Sequence, residues 1–291
     1  MGAMASDGDR TGTSTHWVDA NGVRVHYLAA GVAGSPVVLL HGGGIDSAGF
    51  TYGRIIGPLA EGRRVFAPDW PGYGHSEKPD LDYDMGFFVG FLGRLMDALD
   101  VERASLVGIS MGGGAALGFA LRSPQRVEKL VLVDSYGLGS EVPWGRLGYL
   151  MVRVPLIHKL TYALQRRSRT MTRWSLYGLV HDRRTVTEEM IEETARLLED
   201  PRAGRAWGSF QKHEVGWGSL RTDFSDRLSA LSVPTLLVHG AHDRAVPLAW
   251  ARRAQERIPY CELIVFPECG HLPPREQPEE FARVVRRFLS S

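Results

Sequence analysis

Short apolar runs recur along this chain and alternate with stretches of helical periodicity, and this alternation most constrains its fold. The run at residues 36–40, Pro-Val-Val-Leu-Leu, contains no polar side chain, as expected of a strand buried on both faces of a sheet. Comparable short runs follow at 64–67, 105–107, 130–133, 235–238 and 263–266. Helical patterns separate most of them, for example at 87–99, 111–122 and 279–289. Strands that alternate with helices predict an α/β fold with a mostly parallel sheet covered on both faces.

Two stretches depart from this alternation. Asn21-Gly22 lies between two β-rich runs, which predicts a two-residue hairpin turn and an antiparallel edge to the sheet. Residues 137–221 have helical patterning but no convincing strand. We therefore expect a core formed by residues 15–136 and 222–291, with a helical cap at 137–221 inserted between its two parts. Residues 1–14 are expected to be a disordered tail or a cloning remnant.

Composition and charge exclude several classes of protein. The 291 residues carry a formal net charge of +1, which gives no field that would favour nucleic acid or an anionic membrane. The start of the chain lacks a signal-peptide pattern, and no run of about 18 apolar residues occurs. Cys261 and Cys269 are too few for a disulfide framework and are expected to be reduced thiols. We therefore expect a cytoplasmic protein that acts on a small molecule; a homodimer is left open.

The segment Gly108-Ile109-Ser110-Met111-Gly112 follows one predicted strand and precedes a predicted helix. In that context Gly-x-Ser-x-Gly is typical of a nucleophilic serine. The serine must occupy a strained, sharp turn, and the residues two before and two after it must lack side chains so that strand and helix can approach. Ser110 is therefore the predicted nucleophile.

A serine hydroxyl needs a base, and the base needs an acid to orient it. In a site of this kind the chain order is serine, acid, histidine. His271 is the predicted base because it follows the last predicted strand and precedes the C-terminal helix. Asp243, after the strand at 235–238, is the predicted acid. Asp134, at the end of the strand at 130–133, is the alternative acid.

A tetrahedral intermediate also needs donors for its oxyanion. His41-Gly42-Gly43-Gly44 follows the strand at 36–40, where glycines let backbone N–H groups face a substrate without obstruction. We predict the N–H groups of Gly43 and Met111 as these donors, with Gly44 as a further candidate.

Five motifs occur in order along the chain. They are His41-Gly-Gly-Gly44, Asp69-Trp-Pro-Gly-Tyr-Gly-His-Ser-Glu-Lys-Pro79, Gly108-Ile-Ser-Met-Gly112, His239-Gly-Ala-His-Asp243 and Gly270-His271. Together they resemble the motif set of the α/β-hydrolase superfamily. The resemblance implies an eight-stranded sheet, a cap over its catalytic end, and no metal or organic cofactor for the hydrolytic step. Dehalogenases and epoxide hydrolases of this superfamily have aspartate where this chain has Ser110. A serine implies an acyl enzyme, and hence a substrate with an acyl carbon.

Within the superfamily, the triple glycine and Cys269-Gly270-His271 are similar to the meta-cleavage-product hydrolases, which split a carbon–carbon bond in dienol-ketones. This chain differs from that group at Ile109, where the group has Asn, and at Leu272, where it has Trp. That group also has an arginine in its cap that assists ketonisation. The best local match to that position in this chain falls near Tyr177, which is a third difference.

The residues from Ser110 to Gly114 also resemble serine esterases that show perhydrolase side activity. We therefore predict a carboxylic-ester hydrolase acting on a small hydrophobic substrate. A carbon–carbon hydrolase or a lactonase is the alternative. A ligand-binding receptor on the same fold is the rival from another class.

The substrate-binding residues are not fixed by these motifs. The candidates for lining an apolar pocket are Trp174, Tyr177, Trp207 and Leu272. The predicted cap also carries a run of basic residues without an intervening acid, which we interpret as a solvated helix face rather than a site for anions or membranes. These residues are Arg153, Lys159, Arg166, Arg167, Arg169 and Arg173.

Overall fold

A single eight-stranded sheet forms the centre of the computed structural model, which describes residues 12–141 and 145–291. Its strands are β1 (Thr13–Asp19), β2 (Arg24–Ala30), β3 (Pro36–Leu40), β4 (Arg64–Pro68), β5 (Ala104–Ile109), β6 (Val127–Val133), β7 (Thr235–Gly240) and β8 (Cys261–Phe266). Their order across the sheet is β1-β2-β4-β3-β5-β6-β7-β8. The pairs β1–β2 and β2–β4 are antiparallel and every other pair is parallel. The predicted α/β fold is therefore confirmed.

The helices that surround this sheet are α1 (Ala48–Tyr52), α2 (Ile56–Leu59), α3 (Met85–Ala98), α4 (Met111–Arg122), α5 (Gly145–Arg153), α6 (Pro155–Arg167), α7 (Arg169–Tyr177), α8 (Glu188–Leu197), α9 (Arg205–Glu214), α10 (Leu248–Arg257), α11 (Pro273–Glu276) and α12 (Pro278–Ser290). Short 3-10 helices lie at Pro124–Arg126, Arg183–Thr185 and Ser225–Ala230. No helix among the described residues is long and apolar enough to cross a membrane.

The apolar runs form strands because their alternate side chains meet two separate helical layers. Val38 and Leu40 of β3 belong to one apolar cluster with residues of α3, α4 and α10, whereas Val37 and Leu39 belong to another with residues of α1, α2 and α12. β5 and β7 are buried along their whole length. The carboxyl ends of the parallel strands consequently lie along one edge of the sheet, where the predicted site residues follow them.

The predicted hairpin joins β1 and β2. Asn21 and Gly22 have φ angles of 58° and 82°, the left-handed values that a two-residue hairpin turn requires. Thr13 and Ser14 pair with Ala30 and Ala29, so the expectation of a tail that runs to residue 14 is wrong at its end. Hydrogen bonding to β2 extends the strand to these two residues. Residues 1–11 of that expected tail lie outside the described residues.

The helices α5 to α9 lie between β6 and β7, in the region where the sequence predicts a cap. The chain leaves and re-enters the core at adjacent points. The N–H of Phe224 donates to the carbonyl of Gly137 at 2.9 Å, and the N–H of Leu220 donates to that of Ser140 at 2.8 Å. Two hydrogen bonds therefore join the two chain segments that connect these helices to the sheet.

Candidate active site

Ser110 lies between the end of β5 and the start of α4 on a strained turn. Its φ and ψ angles are 52° and −121°, which a residue with a side chain rarely adopts. Glycine is required on both sides of it. A Cβ at Gly108 would lie 2.4 Å from the carbonyl oxygen of Gly112, and a Cβ at Gly112 would lie 2.3 Å from that of Leu40. The N–H of Ser110 donates to Val133 of β6 at 2.9 Å, which holds the turn against the sheet.

His271 lies in the loop after β8 and is bonded to the loop after β7. Its Nδ1 lies 2.8 Å from Oδ2 of Asp243, and both side chains are buried. The other carboxylate oxygen of Asp243 accepts the N–H groups of Ala245 and Val246 at 2.7 and 3.1 Å. The backbone N–H of His271 donates to Leu179 at 2.7 Å. A hydrogen on Nδ1 that donates to Asp243 leaves Nε2 as the basic nitrogen of the ring.

Each member of this pair shifts the pKa of the other. Burial raises the pKa of Asp243, but the charge and hydrogen bond of His271 outweigh burial and hold it below its usual value. Burial lowers the pKa of His271, but the charge and hydrogen bond of Asp243 outweigh burial and raise it. The pair therefore favours an ionised carboxylate beside an imidazole that accepts a proton readily.

Asp134, the alternative acid, lies at the end of β6 and is fully buried. Its Oδ1 accepts the N–H of Gly240 at 2.9 Å. Asp134, Asp243 and His271 each offer a polar atom within 4.8 Å of the others, and within the described residues this is the one group with the make-up of a metal site. The hydrogen bond between His271 and Asp243 already occupies a nitrogen and an oxygen of the group. These three residues are accordingly interpreted as an acid–imidazole cluster.

Ser110 and His271 line the same cavity, whose volume is about 630 Å³. The loop after β3 forms one wall with residues from Gly42 to Asp46, and helices α6 and α9 contribute Tyr162 and Gln211. A volume of this size accommodates a small organic substrate. The cavity therefore joins the predicted nucleophile and base to a space for substrate.

Two of the four candidate lining residues lie in this cavity. Trp207 of α9 and Leu272 line it, as the sequence suggests. Trp174 and Tyr177 do not line it, although their neighbours Ser175 and Leu176 on α7 do. Trp174 is 58% exposed, and its ring contacts that of Tyr177 edge to face. Trp207 and Leu272 therefore stay candidates for contacting a substrate, and the structure places Trp174 and Tyr177 outside this cavity.

The glycine loop is held by a carboxylate that the sequence motifs do not single out. Oδ2 of Asp46 accepts the N–H of Gly42 at 2.8 Å, and its Oδ1 accepts the N–H of Ser47 and the hydroxyl of Thr51. These bonds close a turn over Gly43 and Gly44, of which Gly44 has a φ of 83°. Sequence reasoning does not single out Asp46, because an aspartate just before a helix is common and α1 begins at Ala48.

The cavity walls carry little positive charge. Among the lining residues in the described part of the chain, none is a lysine or an arginine. The polar members from the cap are uncharged, such as Gln165, Thr194 and Gln211. Burial raises the pKa of Asp46, the one carboxyl group among the described lining residues. A neutral or weakly polar substrate fits these walls without an unpaired charge.

Sequence relatives match nearly the whole chain. The family described as the alpha/beta hydrolase fold matches residues 35–278. A 2-hydroxymuconate semialdehyde hydrolase of Pseudomonas sp. (strain CF600) is 32% identical, with 93% of this chain and 92% of the relative covered. A 2-hydroxy-6-oxo-6-phenylhexa-2,4-dienoate hydrolase of Burkholderia cepacia is 34% identical, with 92% of each covered.

Solved structures agree with these relatives. A serine hydrolase involved in carbazole degradation superposes with a TM-score of 0.81 at 29% identity, covering 96% of this chain and 99% of that one. A meta-cleavage product hydrolase of Pseudomonas fluorescens superposes with a TM-score of 0.80 at 30% identity, covering 94% and 97%. The sheet order, the strained serine turn and these matches together show that the chain belongs to the α/β-hydrolase family.

Proposed function

We propose that this protein hydrolyses a carbon–carbon bond in a dienol-ketone of the meta-cleavage type through an acyl enzyme at Ser110. Nε2 of His271 accepts the serine proton, and the serine oxygen attacks the ketone carbonyl carbon. Before cleavage the dienol tautomerises to its keto form, its hydroxyl proton moving to the carbon beside the attacked ketone. The carbon–carbon bond then breaks, its electron pair is delocalised into the leaving fragment as a dienolate, and His271 returns the proton to that dienolate. Water activated by the same imidazole releases the acid and restores Ser110.

The observation that carries the acyl-enzyme mechanism is the arrangement of three side chains. Ser110, on its strained turn, shares a cavity with His271, whose Nδ1 lies 2.8 Å from the buried Asp243 carboxylate. In this proposal Asp243 fixes the tautomer of His271 and stabilises the imidazolium that forms during attack. Helices α5 to α9 serve as the cap that closes the cavity from above.

The proposed oxyanion donors are the backbone N–H groups of Gly43 and Met111, with Gly44 as a further candidate. Met111 is the first residue of α4, and a helix N-terminus favours negative charge. Gly43 belongs to the loop that Asp46 holds in place. Donors fixed in this way need no reorganisation when the charge develops on the former carbonyl oxygen.

The choice of a carbon–carbon bond rests on the relatives. Proteins named as hydrolases of 2-hydroxymuconate semialdehyde and of 2-hydroxy-6-oxo-6-phenylhexa-2,4-dienoate match more than nine-tenths of this chain. Their identities of 32% and 34% extend over 93% and 92% of this chain, so most of the residues that line the pocket belong to the matched region.

Carboxylic-ester hydrolysis is the second candidate, and the cavity walls favour it. The dienoate substrates named for the relatives carry a carboxylate, whereas no described lining residue is lysine or arginine. Ile109 and Leu272, both lining residues, make the space beside Ser110 and His271 apolar. A neutral ester would leave no charge unpaired in such a space.

Parallel assays on one preparation separate the two candidates. The decay of the absorbance of a dienol-ketone is followed beside the release of p-nitrophenol from esters of rising acyl length, with Ser110→Ala as the background. A kcat/KM for the dienol-ketone at least about a hundredfold above that for any ester supports the proposal. The reverse ratio replaces it with ester hydrolysis. Binding of either compound with a single burst and no steady turnover would indicate a receptor.

A further inference from the structure

The carboxyl group of Asp134 is buried, and its two oxygens differ in their hydrogen bonds. It is fully buried at the end of β6, and its φ of 42° lies in the left-handed region. Oδ1 accepts the N–H of Gly240, but none of the described residues donates a hydrogen bond to the buried Oδ2. A buried ionised carboxylate with half of its acceptors unused is costly. Something other than a backbone donor must therefore satisfy Oδ2.

The described groups that face Asp134 include no lysine or arginine, and the imidazole of His271 is bonded to Asp243 instead. Nε2 of His239 lies 3.4 Å from Oδ1 of Asp134, but it lies 3.1 Å from the carbonyl oxygen of Val246 and donates its hydrogen there. Burial lowers the pKa of His239, which keeps that ring neutral. The titratable groups that face Asp134 from the elements packed around it are Asp243, His239, His271, Cys269 and Glu276.

Two carboxyl groups packed against one another do not both ionise, because like charges repel strongly in a buried site. Burial and the neighbouring Asp243 raise the pKa of Asp134 well above its usual value. The pKa of Asp243 is held low by its bond to His271. The proton of the pair therefore belongs on Asp134.

We infer that Asp134 is a positioning residue that stays a neutral carboxylic acid and donates its O–H to Asp243. The donor holds the Asp243 carboxylate in place, so that the two acids together carry one negative charge beside the imidazole. This inference rests on the roles proposed above for Asp243 and His271. Its tests include readouts that need no substrate.

The variants are chosen to separate charge from hydrogen bonding. Asp134→Asn keeps an oxygen for the N–H of Gly240 and an N–H₂ that can donate to Asp243, and it removes a charge only if Asp134 is ionised. Asp134→Ala removes the donor and the acceptor together. Ser135→Ala, at the next residue, is the control, because its hydroxyl bonds only to the neighbouring carbonyl of Tyr136 among the described contacts.

Two measurements on the native protein and these variants do not depend on turnover. The infrared spectrum of the native protein at pH 7 minus that of Asp134→Asn is expected to show the C=O stretch of a protonated carboxylic acid, because the variant lacks this group. The pKa of His271, followed by NMR, is expected to be unchanged in Asp134→Asn and to rise in Asp134→Ala, whose Asp243 has lost a donor. A missing C=O stretch, or a His271 pKa that falls by about one unit in Asp134→Asn, would overturn the inference.

Kinetics on whichever substrate is turned over complete the test. Asp134→Asn is expected to keep kcat within about threefold of native, whereas Asp134→Ala loses about tenfold or more because Asp243 is no longer held. Equal losses in both variants, with the His271 pKa unchanged in each, would show a purely structural role. Native spectra as expected in a protein that hydrolyses neither substrate class would leave the inference standing and reject the proposed function instead.

Discussion

The indole of Trp207, on α9 of the cap, lies directly against Gly43 in the loop after β3. A Cβ at position 43 would come within 2.2 Å of Cζ3 of Trp207 and 2.4 Å of its Cε3. The cap thus contacts the main chain of the loop proposed to hold the oxyanion. The contact leaves no space for a side chain at Gly43.

Replacing Gly43 by alanine is expected to displace either the loop or the indole. If the loop moves, its N–H no longer faces the oxyanion, and kcat falls by about a hundredfold or more. Gly43→Ala combined with Trp207→Ala removes the collision and should recover part of that loss, measured as kcat/KM. Gly49→Ala is the control, because a Cβ there has its nearest neighbours at 3.9 Å. A Gly43→Ala enzyme with native kcat would contradict this account of the loop.

The pH dependence of kcat/KM should follow His271, because only the neutral ring accepts the serine proton. Burial lowers the pKa of His271, but Asp243 raises it by more, so the rate should rise with pH through a value above about 6.5. Asp243→Asn removes the raising charge. The acid limb should then move to lower pH while kcat falls by a factor on the order of 10⁴. Asp226→Asn, at an exposed position, should change neither, and an unmoved limb in Asp243→Asn would reject His271 as the base.

A cation added at the cavity wall should separate the two candidate substrate classes. Gln165 of α6 lines the cavity and carries no charge. Gln165→Arg should lower KM for a dienoate substrate by about three- to tenfold and leave KM for neutral esters unchanged, because it supplies a counter-charge for the carboxylate. Gln165→Met is the control for size. A KM for the dienoate that does not fall would argue that its carboxylate lies elsewhere in the site.

Helix α8 is held to the core by an ion pair in which the arginine is buried. Arg275 of α11 donates to Glu193 of α8 at 3.0 Å, and its guanidinium lies 5.1 Å from the ring centre of Phe50. Arg275→Met leaves Glu193 without this partner and should lower the free energy of unfolding by about 1–3 kcal/mol in denaturant titrations. Arg283→Met removes an exposed pair with Glu280 and should cost less than about 1 kcal/mol. Equal losses would show that the buried pair is no stronger than a surface one.

Most of the core could be predicted from local sequence. The six apolar runs form β3 to β8, and the helix predicted at residues 111–122 is α4, with the same bounds. These elements are predictable because the pattern of each one lies within a few consecutive residues. Ser110, Asp243 and His271 could be predicted to lie near one another because each follows a strand whose carboxyl end lies at the same edge of the sheet. The hairpin at Asn21-Gly22 depends on two residues only, and it forms as predicted.

Contacts between the cap and the core could not be predicted in the same way. The orientation of α7 decides that Leu176 lines the cavity while Trp174 is exposed to solvent. That orientation depends on how helices α5 to α9 pack against the core. The approach of Trp207 to Gly43 joins residues far apart in sequence. The position of Asp134 beside Asp243 follows from the pairing of β6 with β7, which gave two acids where the motif needs one.

The most direct test of the account is to identify the residue that becomes acylated during turnover. The native protein is mixed with the dienol-ketone, quenched with acid within the first turnovers, digested, and analysed by mass spectrometry, with Ser110→Ala treated in parallel. The account predicts an acyl group on the peptide that contains Ser110, and neither adduct nor turnover in Ser110→Ala. Turnover by Ser110→Ala at the native rate, or an acyl group on another residue, would contradict it.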